Sequence, residues 1–117
     1  MDERILKWLY DIKFCIEEID DFFKEEEKDF FKYKNNQMRK RAVERNLEIV
    51  GEAVNRIITR DNLFMEKISN AKAIIGLRNQ VIHAYDNISD ENIWSILINH
   101  LPKLKLEVDT LIKENEK

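Results

Sequence analysis

Glycine and proline are nearly missing from this chain, with two of the first and one of the second in 117 residues. A many-stranded fold needs frequent turns, and turns draw on those two residue types. Their scarcity therefore argues against a sheet and for long helices with short connections. Cys15 is the single cysteine; it has no partner for an internal disulfide, which suits a reducing cytosol. No apolar run approaches the roughly eighteen residues that a membrane span requires, and Asp2 and Glu3 put acid where a secretion signal would carry base. The expectation is a cytoplasmic protein with no membrane partner. A positive charge excess is missing as well. The net charge of −3 gives no general attraction to nucleic acid, so any RNA contact must come from a local basic patch. Histidine occurs twice, at His83 and His100, and neither lies in a Glu-x-x-His step. That spacing argues against a metal-binding helical bundle, and no cofactor is expected.

What the chain does have is charge, 37% of residues, laid out against apolar stripes. Ile5, Leu9, Ile12, Ile16, Ile19 and Phe23 recur at four-three spacing and share one helix face, widened by Trp8, Cys15 and Phe22. Cys15 is expected to be a small buried hydrophobe. The pattern then breaks between Lys24 and Gln37, where a charge run suggests a solvated loop pinned back by Phe30. Asn35 and Asn36 are candidate caps for a second helix from about Gln37 to Arg60. Its stripe is Val43, Leu47, Val50, Val54 and Ile57. Gly51 inside it costs roughly 1 kcal/mol relative to alanine, which suggests a close helix neighbour. Arg41 with Arg45, and Arg56 with Arg60, are i, i+4 pairs. They are either a phosphate-tracking patch, with Arg41 and Arg45 the candidates to contact RNA, or ordinary solvated charge.

Asp61 to Asn70 reads as a connection whose Leu63, Phe64 and Ile68 touch the core. A third helix is expected from Ala71 to Tyr85, with Ile74, Leu77 and Val81 inward. Ser89 caps a fourth helix, with Asp90 and Glu91 in its first turn, where the helix dipole favours acids. Ile88 and Ile93 flank that cap as a hydrophobic staple. Ile93, Leu97, Leu101, Leu104, Val108 and Leu111 face the core. Pro102 removes one backbone hydrogen bond, so a kink is expected near Ile98. The polar tail from Lys113 should fray. The expected architecture is all-α: a four-helix up-and-down bundle, one domain over residues 1–117.

The chemistry concentrates between Gly76 and Tyr85. At about 100° per residue, Asn79 and His83 fall at about 140° and 180° from Ile74, on the face turned away from the core. Arg78 lies at the margin, about 40° from Ile74, and Tyr85 lies about 20° from it. The plain alternative is an exposed histidine beside an arginine that snorkels. Yet histidine exchanges protons near neutrality, and arginine grips phosphate with two donors. Phosphodiester cleavage without a metal needs both: proton transfer at the 2′-hydroxyl or the leaving oxygen, and a cation for the crowded phosphorane. One histidine is thin for acid and base roles together. A symmetric homodimer would bring two copies into one cleft.

Arg78-Asn79-x-x-x-His83-x-Tyr85 resembles the Arg-x4-His-x-Tyr signature of HepT toxins, members of the HEPN superfamily of small helical ribonucleases. Arg41-Ala42-Val43-Glu44-Arg45 and Gly51-Glu52-Ala53 are similar to that family's second helix, and Ile93-Trp94 with Leu101-Pro102-Lys103-Leu104 to its fourth. The resemblance implies a metal-independent endoribonuclease, the toxin of a type VII-like toxin–antitoxin pair, with Arg78 and His83 catalytic and Asn79 supporting them. It implies a homodimer with the paired motifs in an interface cleft. It also implies a minimal nucleotidyltransferase antitoxin that silences the toxin by adenylylating Tyr85. Phosphate and adenine two residues from His83 would fill the place of the RNA phosphate. By the helical wheel Tyr85 points closer to the core than His83, so either the helix ends early or the phenol is only marginally accessible. The low basicity of the chain supports a different class of reading, a non-catalytic helical partner of such a nucleotidyltransferase.

Overall fold

The computed structural model describes residues 2–24, 29–76 and 90–116. Helices dominate these residues and no strand occurs among them, so the all-α class expected from the sequence is borne out. The first helix, α1, spans Glu3–Phe22, and Asp2 caps it by accepting from the Arg4 amide at 2.8 Å. A short α2 covers Phe30–Lys34 and α3 covers Gln37–Arg60. The boundaries of α3 are those the sequence pattern suggests. Asn36 is its cap, with the side-chain oxygen 3.0 Å from the Arg39 amide. Asn35 does a different job: it closes α2 and donates to the Phe31 carbonyl at 2.9 Å. A single-turn α4 (Phe64–Lys67) follows, then helical residues 71–76, termed α5. Helix α6 (Asp90–Asn99) and helix α7 (Leu101–Asn115) complete the described chain.

Helix α1 packs along α3 and against α7, and α6 and α2 close the same core. All six residues of the α1 stripe and all five of the α3 stripe are buried. So are the six inward residues of α6 and α7 and, as expected, Cys15. Burial of such aliphatic side chains contributes about 1.5–3 kcal/mol each. This is why a chain with so few turns holds its shape.

Three expectations change. The stretch between Lys24 and Gln37 was expected to be loop, yet it contains α2, whose Tyr33 is 0% exposed. Asp29 nucleates that turn by accepting from the Phe31 and Lys32 amides. Leu63, expected in the core, is 64% exposed, whereas Phe64 and Ile68 are buried. In so short a turn only one side can face inward. The proline effect expected near Ile98 is found two residues on, as an interruption at His100 between α6 and α7. Pro102 has no amide hydrogen for the Ile98 carbonyl, and its ring crowds that turn. The bonds on either side survive, from the His100 amide to Ile96 and from the Leu104 amide to His100, both 2.9 Å. Beyond Lys113, α7 continues to Asn115, and the next residue, Glu116, accepts from the Tyr10 hydroxyl. No helix among the described residues is long and apolar enough to cross a membrane.

Candidate functional site

Arg78, Asn79, His83 and Tyr85 lie within residues 77–89, outside the described residues. So do Leu77 and Val81 of the expected inward stripe, and the Ile88–Ser89 cap signal. The described structure fixes the two ends of that stretch. On the entry side, Ile68, Ala71 and Ile74 are buried. The Ala71 amide bonds the Ile68 carbonyl at 3.2 Å and the Ile74 amide bonds Asn70 at 3.0 Å. Helix α5 is thus anchored in the core by Ala71 and Ile74 and is described as far as Gly76.

On the exit side, Asp90 opens α6 and is held from α3. The Lys40 ammonium reaches both carboxylate oxygens, at 2.9 and 3.1 Å, and the two side chains are only 18% and 16% exposed. Ile93 and Leu97 then anchor α6 in the core. Beside this pair stand Glu44 and Tyr33. Burial pushes the Glu44 carboxyl above its ordinary range; Asp90 adds to the effect, while Lys40 and Arg41 oppose it. Burial also raises the Tyr33 phenol strongly, and Glu44 and Asp90 reinforce the shift. Its hydroxyl is buried and has no hydrogen-bond partner among the described residues, and with its pKa raised the phenol stays neutral throughout the physiological range. Trp94, one turn into α6, covers the Tyr33 ring at 5.4 Å between centroids and also meets Phe23 and Phe30.

Sequence spacing did not reveal this cluster, because its members come from α2, α3 and α6. The one local signal was the i, i+4 placement of Lys40 and Glu44, with two like charges at the start of the fourth helix. The arginine pairs are also placed. Arg41 is exposed and makes no ion pair among the described residues. Arg45 is 67% exposed and pairs with Glu48 at 3.1 Å, Arg56 pairs with Glu52 at 3.1 Å, and Arg60 pairs with Asp2. Arg45 and Arg56 line a groove of about 230 Å³ between α1 and α3, together with Trp8 and the acids Asp11, Glu48 and Glu52. Three carboxylates against two guanidiniums give that groove no net attraction for phosphate. His100 marks the break between α6 and α7 and makes no side-chain cap. No group of three potential metal ligands occurs among the described residues.

Residues 12–111 match the family described as HepT-like, "Ribonuclease HepT-like". The chain is 40% identical over 112 residues to "Putative RNase MJ1380" of Methanocaldococcus jannaschii, covering 93% of this chain and 98% of that protein. It is 34% identical over 119 residues to "Putative RNase MJ0125" of the same archaeon, at 99% and 98% coverage. A bacterial relative, "Putative RNase TTE0752" of Caldanaerobacter subterraneus subsp. tengcongensis, is 33% identical over 78 residues, 65% of this chain and 67% of that protein. No solved structure matches. The match across α1 to α7, together with the near full-length likeness to the archaeal relatives, shows that this chain belongs to the HepT-like ribonuclease family.

Proposed function

We propose that the protein is a metal-independent endoribonuclease that acts as the toxin of a toxin–antitoxin pair. The observation that carries this is the motif Arg78-Asn79-x-x-x-His83-x-Tyr85 in a chain matched almost end to end by the HepT-like ribonuclease family. In this reading Arg78 binds the scissile phosphate and neutralises the phosphorane. The RNA 2′-oxygen attacks phosphorus and the bond to the 5′-oxygen breaks, leaving a cyclic phosphate and a 5′-hydroxyl. His83 of one protomer accepts the 2′-hydroxyl proton, and its copy in the partner supplies a proton to the leaving oxygen. Asn79 orients His83 or the phosphate. The homodimer is thus part of the proposal, since one chain has a single motif histidine.

Silencing by adenylylation of Tyr85, carried out by a minimal nucleotidyltransferase antitoxin, completes the reading. Negative charge placed two residues from His83 would compete with the RNA phosphate. The supporting fact is the position of Tyr85 in the motif. Intact mass after co-expression with the nucleotidyltransferase should show added AMP, lost in Tyr85→Phe.

The test of catalysis is His83→Ala. The variant should remain dimeric by sedimentation yet lose RNA cleavage and growth arrest. Cleavage at the original rate would refute the assignment. The net charge of −3 favours a second reading, a non-catalytic binding partner of the nucleotidyltransferase. That reading expects complex formation with no His83-dependent cleavage at all.

A further inference from the structure

The fourteen residues from Phe30 to Val43 contain five cations, Lys32, Lys34, Arg39, Lys40 and Arg41, and no acid, in a chain whose net charge is −3. Helix α2 and the first turns of α3 are therefore a basic island on an otherwise acidic protein. Two of the five are committed elsewhere. Lys40 neutralises Asp90, and the Arg39 guanidinium lies over the Phe23 ring at 5.3 Å. Lys32, Lys34 and Arg41 remain exposed.

Exposed apolar surface lies beside these cations. Phe31 is 72% exposed although it is a large aromatic on a folded helix. Its ring meets Phe30 edge-on at 5.9 Å, and Phe30 meets Trp94 at 5.8 Å. Phe30 and Trp94 line an apolar groove of about 320 Å³ with Ile98, Ser95, Asn99 and Glu91. The volume sits at the low end of the range of small-ligand sites, about 300–1,000 Å³. At one edge Asn99 donates to the Ser95 hydroxyl at 3.2 Å, giving polar groups suited to the edge of a base. Glu91 is the one acid among the described residues that line it.

Cations that track phosphates, interleaved with aromatic faces that accept unpaired bases, are how proteins hold single-stranded nucleic acid without sequence readout. We propose that Phe31, the Phe30–Trp94 groove and Lys32 with Lys34 form a docking platform for single-stranded RNA, with Arg41 continuing its phosphate track onto α3. The occupant follows from charge and shape together. A solvated charge run alone would not leave an aromatic exposed among its lysines, and an apolar protein interface would not need them. The platform rests on the ribonuclease reading for its biological role. It supplies what the negative net charge otherwise denies that reading, a local attraction for substrate. Because α6 begins directly after the motif stretch, RNA held at Trp94 lies close along the chain to the residues assigned to cleavage.

The test uses the full-length dimer in a His83→Ala background, so that the probe is not cut, and a short fluorescein-labelled oligouridylate read by anisotropy. Phe31→Ala should weaken binding on the order of ten-fold, the scale of one stacked base. Lys32→Gln with Lys34→Gln should flatten the salt dependence, by about 0.7 in log–log slope for each lysine. Trp94 fluorescence, isolated by Trp8→Phe, should be quenched by the oligonucleotide and not by uridine-free polyphosphate. Circular dichroism and melting should be unchanged in Phe31→Ala, because that ring is already exposed. Unchanged affinity and slope in these variants would overturn the platform while leaving His83-dependent cleavage, and so the nuclease reading, intact. If they change the sedimentation coefficient instead of RNA affinity, the face is a subunit interface and the platform is refuted. Conversely, weakened binding in Phe31→Ala alongside cleavage that ignores His83 would sustain the platform and sink the catalytic assignment.

Discussion

Breaking the Lys40–Asp90 pair is the most direct test of how this fold holds the end of the motif stretch. At 2.9 Å the attraction between unit charges runs from about 1.4 kcal/mol at the dielectric of water to about 6 kcal/mol at an effective value near 20. Both side chains are more than four-fifths buried, so the real environment lies between these limits. Fixing the long lysine and stripping water from both groups offsets most of the gain. A net coupling of about 1–2 kcal/mol remains, above the 0.2–1 kcal/mol usual for exposed pairs. Lys40→Met should cost more than that coupling, because it leaves the largely buried Asp90 without its ion-pair partner and beside the Glu44 carboxyl. The assay is a double-mutant cycle in urea with Lys40→Met, Asp90→Asn and the combination, which cancels the separate loss of an acid from the first turn of α6. Repeating the cycle in about 1 M salt, where screening acts over roughly 3 Å, should leave at least half the coupling. A coupling within the roughly 0.3–0.5 kcal/mol of ordinary additivity would refute the reasoning, since the pair would then behave as solvated surface charge.

Three further outcomes are expected. Tyr33→Phe removes a buried hydroxyl that has no partner among the described residues, a group that costs about 1–3 kcal/mol to bury. The variant should melt higher than the parent, and a clear loss of stability would show that the hydroxyl is bonded. Glu44 has a folded pKa raised above its ordinary value near 4.5, so the folded state binds more protons than the unfolded one and stability falls as pH rises from about 4.5 through the folded value. Glu44→Gln should abolish that slope in urea melts across pH, and parallel profiles for parent and variant would disprove it. Cys15 is buried, and desolvation lifts its thiol to about 11. A disulfide reagent at pH 8 should therefore label it only after denaturation; prompt labelling of the native protein would contradict the packing described.

Much of the fold was legible in the sequence because helix faces are a local property. Four-three spacing put Ile5 to Phe23 and Val43 to Ile57 on inward faces, and each of those residues is buried. A cap signal such as Asn36 also acts within three residues. The candidate site was legible as chemistry, through the kinds and spacing of Arg78, Asn79, His83 and Tyr85, and its geometry falls outside the described residues. The sequence could not show which element fills a gap left by others. Tyr33 becomes core because Trp94, sixty-one positions later, covers it. Leu63 stays outside because Phe64 and Ile68 take the inward side of a single turn. Lys40 meets Asp90 across fifty positions, and Glu44 is pushed upward by that same closure. By itself, then, the sequence determined the two long helices α1 and α3, the buried stripes of α1, α3, α6 and α7, and the family motif, since each depends on neighbours within about a turn or two of chain. Only the tertiary structure decided the aromatic nest and the charged clamp on α6, because contacts between distant elements follow from how the faces pack and leave no periodic trace.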